Sequence, residues 1–234
     1  MKAFSNLLSD LILTSSRNRK LSLLEQYFSS TPDPDRGYAL AALTGSLNFK
    51  NIKASFFKDL IKEKQDEHLF DLSYDYVGDL AETISLLWDQ EKSGNMPRLS
   101  SLFENLKMAK TDELKNYIIN ILNISTADQR WAFIKLFTGG LRIGVSSRLV
   151  KQALANYGNV DLEEIEKIWH GLHFPYINLF SWLENKGSKP KISIYDIFHP
   201  MMLAHPLVIE KDLVALNPKD FVAEYKWDGI RVQI

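Results

Sequence analysis

Lys226, Asp228, Gly229 and Arg231 fall within six residues of one another in the run EYKWDGIRVQI. Asp-Gly between two alternating segments is a strong hairpin signal. With Asp228-Gly229 as a two-residue turn, Trp227 pairs with Ile230, Lys226 with Arg231, Tyr225 with Val232 and Glu224 with Gln233. One face then carries Ala223, Tyr225, Trp227, Ile230 and Val232, which suits a core. The other carries Glu224, Lys226, Arg231 and Gln233. Two cations directly across a ladder repel, and an anion between them, phosphate above all, relieves the repulsion. The nearby positive charge also disfavours the ammonium form of the lysine, and a neutral lysine amine is a nucleophile. The chemistry on offer is attack by a lysine close to a phosphate. The same spacing also fits a solvated hairpin with ordinary surface charges, and a register slip of one residue would turn Lys226 to the other face.

Two further stretches could hold phosphate without reacting with it. In FTGGLRIGVSSR, Gly139 and Gly140 end a helix, Arg142 and Gly144 follow, and Ser146 or Ser147 caps the next helix. A close glycine backbone and a helix N-terminus both favour a phosphate oxygen, and Arg142 adds a planar charged fork. TSSRNRK joins the first two helices with Ser15, Ser16, Arg17, Arg19 and Lys20. The competing readings are a glycine-rich connection whose arginine meets an acid, and a solvated polar turn. Lys50, Lys53, Arg148 and Lys151 are weaker candidates for the same role. His170 and His173 have helical spacing for a metal pair but no evident third ligand, so no metal site is assigned. No Gly-rich P-loop is present.

The elements that must position these groups are mostly helices. FSNLLSDLIL repeats Phe4, Leu7, Leu8, Leu11 and Ile12 at helical spacing. VGDLAETISLLWDQ places Val77, Leu80, Ala81, Ile84, Leu87 and Trp88 on one face. TADQRWAFIKLF opens with a capping box from Thr126 to Gln129. SSRLVKQALANYG carries Leu149, Val150, Ala153, Leu154 and Tyr157 on one stripe, with Gly158 placed to end the helix. Trp88, Trp131, Trp169 and Trp182 lie in apolar stripes and read as core. Prolines 32, 34, 97 and 175 fall between the segments. Lys, Gly, Ser and Pro cluster at 186–190, and the run from Pro218 alternates as β. The expected fold is mainly α: a multi-helical domain of about ten to twelve short helices over 1–187, a linker over 188–206, and a short β segment opening a second domain over 207–234.

Composition sets the outer bounds. The 234 residues are 45% apolar and 24% charged, with a net charge of −1, ordinary for a soluble globular protein. No run approaches a transmembrane span, and Asp10 interrupts the apolar N-terminal stretch where a signal peptide would need continuity. There are no cysteines, which excludes disulfides and thiolate chemistry and accords with a cytoplasmic location. Residues 1–60 carry eight Lys/Arg against five Asp/Glu, while residues 61–140 carry nine against thirteen. A local basic face can coexist with a neutral mean.

KWDGIR resembles the nucleotidyl-transfer motif K-x-D-G-x-R of ATP-dependent DNA ligases, a motif shared with RNA ligases and mRNA capping enzymes. FTGGLRIGVSSRLVKQALA (137–155) resembles a segment of the helical DNA-binding domain of the DNA ligases, and HPMMLAHPL (199–207) the passage from that domain into the adenylation domain. VGDLAETISLL (77–87) is a weaker likeness to another helix there. An RNA ligase or capping enzyme accounts for the first run alone, and a non-catalytic helical scaffold binding DNA or protein would take the terminal hairpin as a chance ending.

The resemblance implies a protein that seals 3′-OH/5′-phosphate nicks in duplex DNA through a lysyl-AMP intermediate, using ATP and Mg²⁺. By position, Lys226 is the nucleophile, Glu224 lines the adenine pocket, and Arg231 holds the ribose or a phosphate. Asp228 and Gly229 shape the turn. Ser16, Arg17, Gly139, Gly140, Arg142, Gly144 and Ser146 hold nicked DNA. It also implies a monomer, and an adenylation domain cut short at Ile234, so that this chain alone is expected to be inactive.

Overall fold

The computed structural model describes residues 1–47, 52–89, 94–193 and 206–222, together with residues 224, 225, 227 and 229. Among the described residues there are thirteen α-helices and no strand. In chain order they are α1 (Lys2–Leu13), α2 (Arg17–Ser30), α3 (Asp35–Leu43), α4 (Ala54–Lys62), α5 (Glu67–Val77), α6 (Leu80–Leu87) and α7 (Leu99–Met108). Then come α8 (Thr111–Ile124), α9 (Ala127–Lys135), α10 (Ser147–Gly158), α11 (Leu162–Ile168), α12 (Ile177–Leu183) and α13 (Ile209–Ala215). The mainly helical expectation holds, with twelve helices up to Leu183.

The first twelve helices share one apolar core that runs from Met1 to Leu183. The earliest helices pack on late ones: α1 lies against α9, and α2 against α10. Sequence periodicity explains most faces. Phe4, Leu7, Leu8 and Leu11 are buried, although Ile12, one step round the same stripe, is half in solvent. The Thr126 hydroxyl accepts from the Gln129 amide at 3.4 Å, and the Gln129 side chain accepts from the Thr126 amide at 3.2 Å, completing the capping box. Trp88 is buried, whereas Trp131, Trp169 and Trp182 are only half-buried at the core's edge.

Two helix ends differ from the sequence expectation. Val77 and Leu80 do not share a helix, because Gly78 adopts φ 73° and closes α5. Asp79 then caps α6, its carboxylate accepting from the Glu82 amide at 3.0 Å. Gly158 does not end α10 by turning left-handed. Asn159 does that, at φ 48°. Gly158 is glycine for a packing reason, since a Cβ there would lie 2.4 Å from Cδ2 of Leu183.

A buried ion cluster ties α12 to the start of the fold. Arg36 donates to both carboxylate oxygens of Asp33, at 2.8 and 2.7 Å, and to the Phe28 carbonyl at 3.3 Å. It also pairs with Glu184 and lies over the Phe180 ring, 4.2 Å from its centroid. The Tyr157 hydroxyl donates to Glu184 at 2.7 Å. Hydrogen bonds from Arg36 and then Lys186 pull the Glu184 carboxyl down to a pKa of about 2.

Beyond residue 206 the picture departs from the β expectation. Residues 209–215 form α13, and Pro218–Asp220 make a 3₁₀ turn where a strand was expected. Tyr225 and Trp227, expected in a core, are exposed. Ala223, Lys226, Asp228 and Ile230–Ile234 lie outside the described residues, and the proposed hairpin pairs lie there with them. Among the described residues no helix is long and apolar enough to cross a membrane.

Candidate nucleic-acid interface

Two loops that sequence spacing marked as phosphate holders meet at one cleft. The first is the connection from α1 to α2. Thr14 Oγ1 accepts from the Ser16 amide at 3.2 Å, and Ser16 in turn caps α2, its hydroxyl accepting from the Arg19 amide at 3.3 Å. The second leads into α10, where the Ser146 hydroxyl accepts from the Leu149 amide at 3.2 Å. One cap bond leaves other first-turn amides without a helical acceptor. Neither helix carries an acid in its first turn, so neither positive dipole end is offset there.

The two helices run side by side in the same sense. Near their starts, Lys20 Nζ donates to the Gly144 carbonyl at 2.8 Å and to the Ile143 carbonyl at 3.4 Å. Farther along, Asn156 donates to Glu25 at 2.7 Å. Both N-termini therefore open on the same side, into a cleft of about 550 Å³ lined by Ser15, Arg17, Lys20, Gly144, Ser146 and their apolar neighbours. Lys20 is only 9% exposed, so its charge forms the floor. Gly144 suits this place: φ is 66°, which favours glycine, and a Cβ would push the Lys20 ammonium aside from 2.6 Å.

Arg17, Arg19 and Arg142 are exposed, and none of them has an acidic partner among the described residues. Among the described residues no acid meets Arg142, whereas the competing reading required one. Arg142 has a left-handed backbone, φ 49°, which turns the chain just before Ile143 and Gly144 reach Lys20.

Gly139 and Gly140 do not share this cleft. They line a neighbouring cavity of about 370 Å³ with Ala42, Gly45, Ile52 and Lys135, and Lys135 is neutralised there by Asp79. Among the weaker candidates, Lys53 is exposed and Lys50 lies outside the described residues. Arg148 approaches Glu166 at 3.9 Å. Lys151 lies over the Trp169 ring at 4.7 Å, and burial lowers its pKa, so it is committed to the core's edge. Lys20 was undervalued in sequence. The signal was its place on the inner stripe of α2 with Leu24 and Tyr27, four and seven residues on.

Of the residues assigned to nucleotide chemistry, Glu224 is exposed, and Lys226 and Arg231 lie outside the described residues. Among the described residues no three His, Asp or Glu side chains converge as a metal site would require, the His170/His173 pair included.

This arrangement, two capped helix starts over a buried lysine, lies in the part of the chain with known relatives. A family model described as DNA ligase N terminus matches residues 1–155. A DNA ligase of Nitrosopumilus maritimus is 28% identical over 143 residues, which cover 57% of this chain and 24% of that protein. DNA ligase 4 of Homo sapiens is 28% identical over 143 residues, covering 58% of this chain and 14% of that protein. The chain thus spans a quarter or less of the length of these relatives. The match takes in α1 to α9 and most of α10, well over half of the residues, and on that ground the chain belongs to the DNA ligase N terminus family.

Proposed function

We propose that residues 1–187 are the DNA-binding domain of an ATP-dependent DNA ligase, and that the α2/α10 cleft grips the backbone of nicked duplex DNA. The observation that carries this reading is the convergence of two uncompensated helix N-termini over Lys20, with Arg17 in the cleft lining and Arg142 two residues before Gly144 in the chain. Helix starts and arginine forks both favour phosphate oxygens. Contacts of this kind fix position without reading sequence, which suits an enzyme that must act at any nick. Gly139 and Gly140, on the adjoining cavity, let the turn before Arg142 come close to the duplex.

In the intact protein, acting as a monomer, Lys226 would attack the α-phosphate of ATP. A P–N bond forms and pyrophosphate leaves, giving lysyl-AMP. A 5′-phosphate oxygen at the nick then takes the AMP and frees the amine, and attack by the 3′-hydroxyl expels AMP. Glu224 would face the adenine and Arg231 the ribose or a phosphate. Mg²⁺, held largely by the phosphates themselves, would offset phosphoryl charge; among the described residues no three His, Asp or Glu side chains converge. Glu224, Tyr225 and Trp227 flank Lys226 from exposed positions. For that reason the 234-residue chain alone is expected to give neither sealing nor a stable adenylate.

The test is fluorescence anisotropy with nicked and intact duplexes of one sequence across a salt series. Salt-sensitive binding that prefers the nick, weakened by Arg17→Ala or Arg142→Ala, supports the reading. Absence of binding to either duplex at low salt would sink it.

A further inference from the structure

The loop from Leu13 to Arg17 separates two clefts of opposite character. On one side lies the positively lined α2/α10 cleft. On the other lies a cleft of about 420 Å³ between the end of α1, the outer face of α6 and the start of α9. Its lining includes Ile12, Leu13, Leu86 and Trp131. Leu13 is 83% exposed, Leu86 67% and Ile12 48%, so three aliphatic side chains and the edge of an indole face water together. A concave apolar group of this kind marks an interaction surface more often than a scattered leucine does.

The rim is acidic. Glu82 and Asp128 line the cleft, both are exposed, and neither has a cationic partner among the described residues. Lys135, whose Nζ is 6.0 Å from the Trp131 ring centroid, is already paired with Asp79. A phosphate backbone laid here would meet two carboxylates. A segment with apolar anchors and flanking Lys or Arg would bury the leucines and pair both acids.

We infer that this cleft docks a basic, apolar-anchored helical segment of a partner protein beside the DNA-binding loop. The inference goes beyond the proposed function and does not depend on it.

The test uses the full chain and two labelled peptides of equal length, a Leu-Lys amphipathic helix and its Leu-Glu counterpart. The Leu-Lys peptide should bind and perturb the backbone amides of Ser9, Ile12 and Ala127 in NMR spectra, while the Leu-Glu peptide should not. Leu13→Ser combined with Leu86→Ser should weaken binding about tenfold. Both side chains are mostly in solvent, so the variant should keep its melting temperature. Glu82→Gln with Asp128→Asn should flatten the salt dependence. Nicked duplex added without peptide should leave the amides of Ser9, Ile12 and Ala127 unmoved, and a chain that bound no DNA would leave the peptide result intact. Any of four results overturns the inference: no binding, equal binding to the leucine variant, perturbation of those three amides by DNA alone, or self-association of the chain that Leu86→Ser abolishes. The last two would assign the cleft to DNA or to a second copy.

Discussion

Lys20 and Gly144 are 124 residues apart in sequence, yet the ammonium of one donates to the carbonyl of the other at 2.8 Å. A buried cation satisfied by carbonyls keeps its charge, whereas a carboxylate partner would cancel it. The lysine therefore fastens the loop before α10 and leaves the cleft positive. Gly144→Ala tests both parts, because the new Cβ would press on Nζ at 2.6 Å from a backbone with φ 66°. The expected cost is roughly 1–2 kcal/mol of stability, read by urea unfolding. DNA affinity should fall further than that loss of folded protein explains.

Arg17→Ala and Arg142→Ala should separate binding from folding. Both side chains are exposed and unpaired among the described residues, so thermal melting should barely move. Each substitution should lower the slope of log affinity against log salt by about 1. An unchanged slope would mean that the arginine touches no phosphate.

The Arg36–Glu184 pair should govern acid stability. The Arg36 and Lys186 hydrogen bonds hold Glu184 at a folded pKa of about 2, against 4.5 for a free carboxyl. A depressed folded pKa means that its contribution is complete above about pH 4.5 and is lost as pH falls from there towards 2. Glu184→Gln should flatten the stability profile in that window. At pH 7, Arg36→Met should cost on the order of 1–2 kcal/mol, because it removes a buried guanidinium that bridges the half-buried Asp33 and Glu184. Chemical denaturation at a series of pH values checks both.

Residues after 155, where the family match ends, belong to the same folded unit. Leu179, Phe180 and Leu183 of α12 are buried, Phe180 lies 5.6 Å from Phe28, and Gly158 admits Leu183. A chain cut after residue 155 should lose cooperative unfolding in circular dichroism, whereas one cut after residue 187 should keep it. Gly158→Ala should cost about 1–3 kcal/mol by overpacking.

The helix caps were legible because they are local. Ser146, one of two serines offered for the start of α10, and the Thr126–Gln129 box each act within three residues of themselves, whereas the Ser16 cap on α2 emerged only in the structure. The break at Gly78 was missed because apolar spacing continues across it, and only the left-handed glycine with Asp79 behind it ends the phase. Gly158 is the last residue of α10 as expected, but the left-handed turn falls on Asn159, and the constraint that makes residue 158 a glycine comes from Leu183. At the binding cleft, the two polar loops could be read separately. Their junction through Lys20 could not, because no local pattern encodes which carbonyl a distant ammonium will meet. In the C-terminal part, alternation from Pro218 suggested a strand, but among the described residues there Pro218–Asp220 form a 3₁₀ turn and none is in a strand. Short apolar runs do not separate helix from strand by period alone.

The pairing of α1 with α9 and of α2 with α10 also bears on how the protein is made. The ribosome releases the first two helices with their apolar faces bare, and their native neighbours are more than a hundred residues away. At typical synthesis rates the wait is on the order of ten seconds. Throughout that interval the half of the cleft that begins at Ser16 exists without the half that begins at Ser146. The grip on phosphate that needs both helix starts is therefore completed late in synthesis.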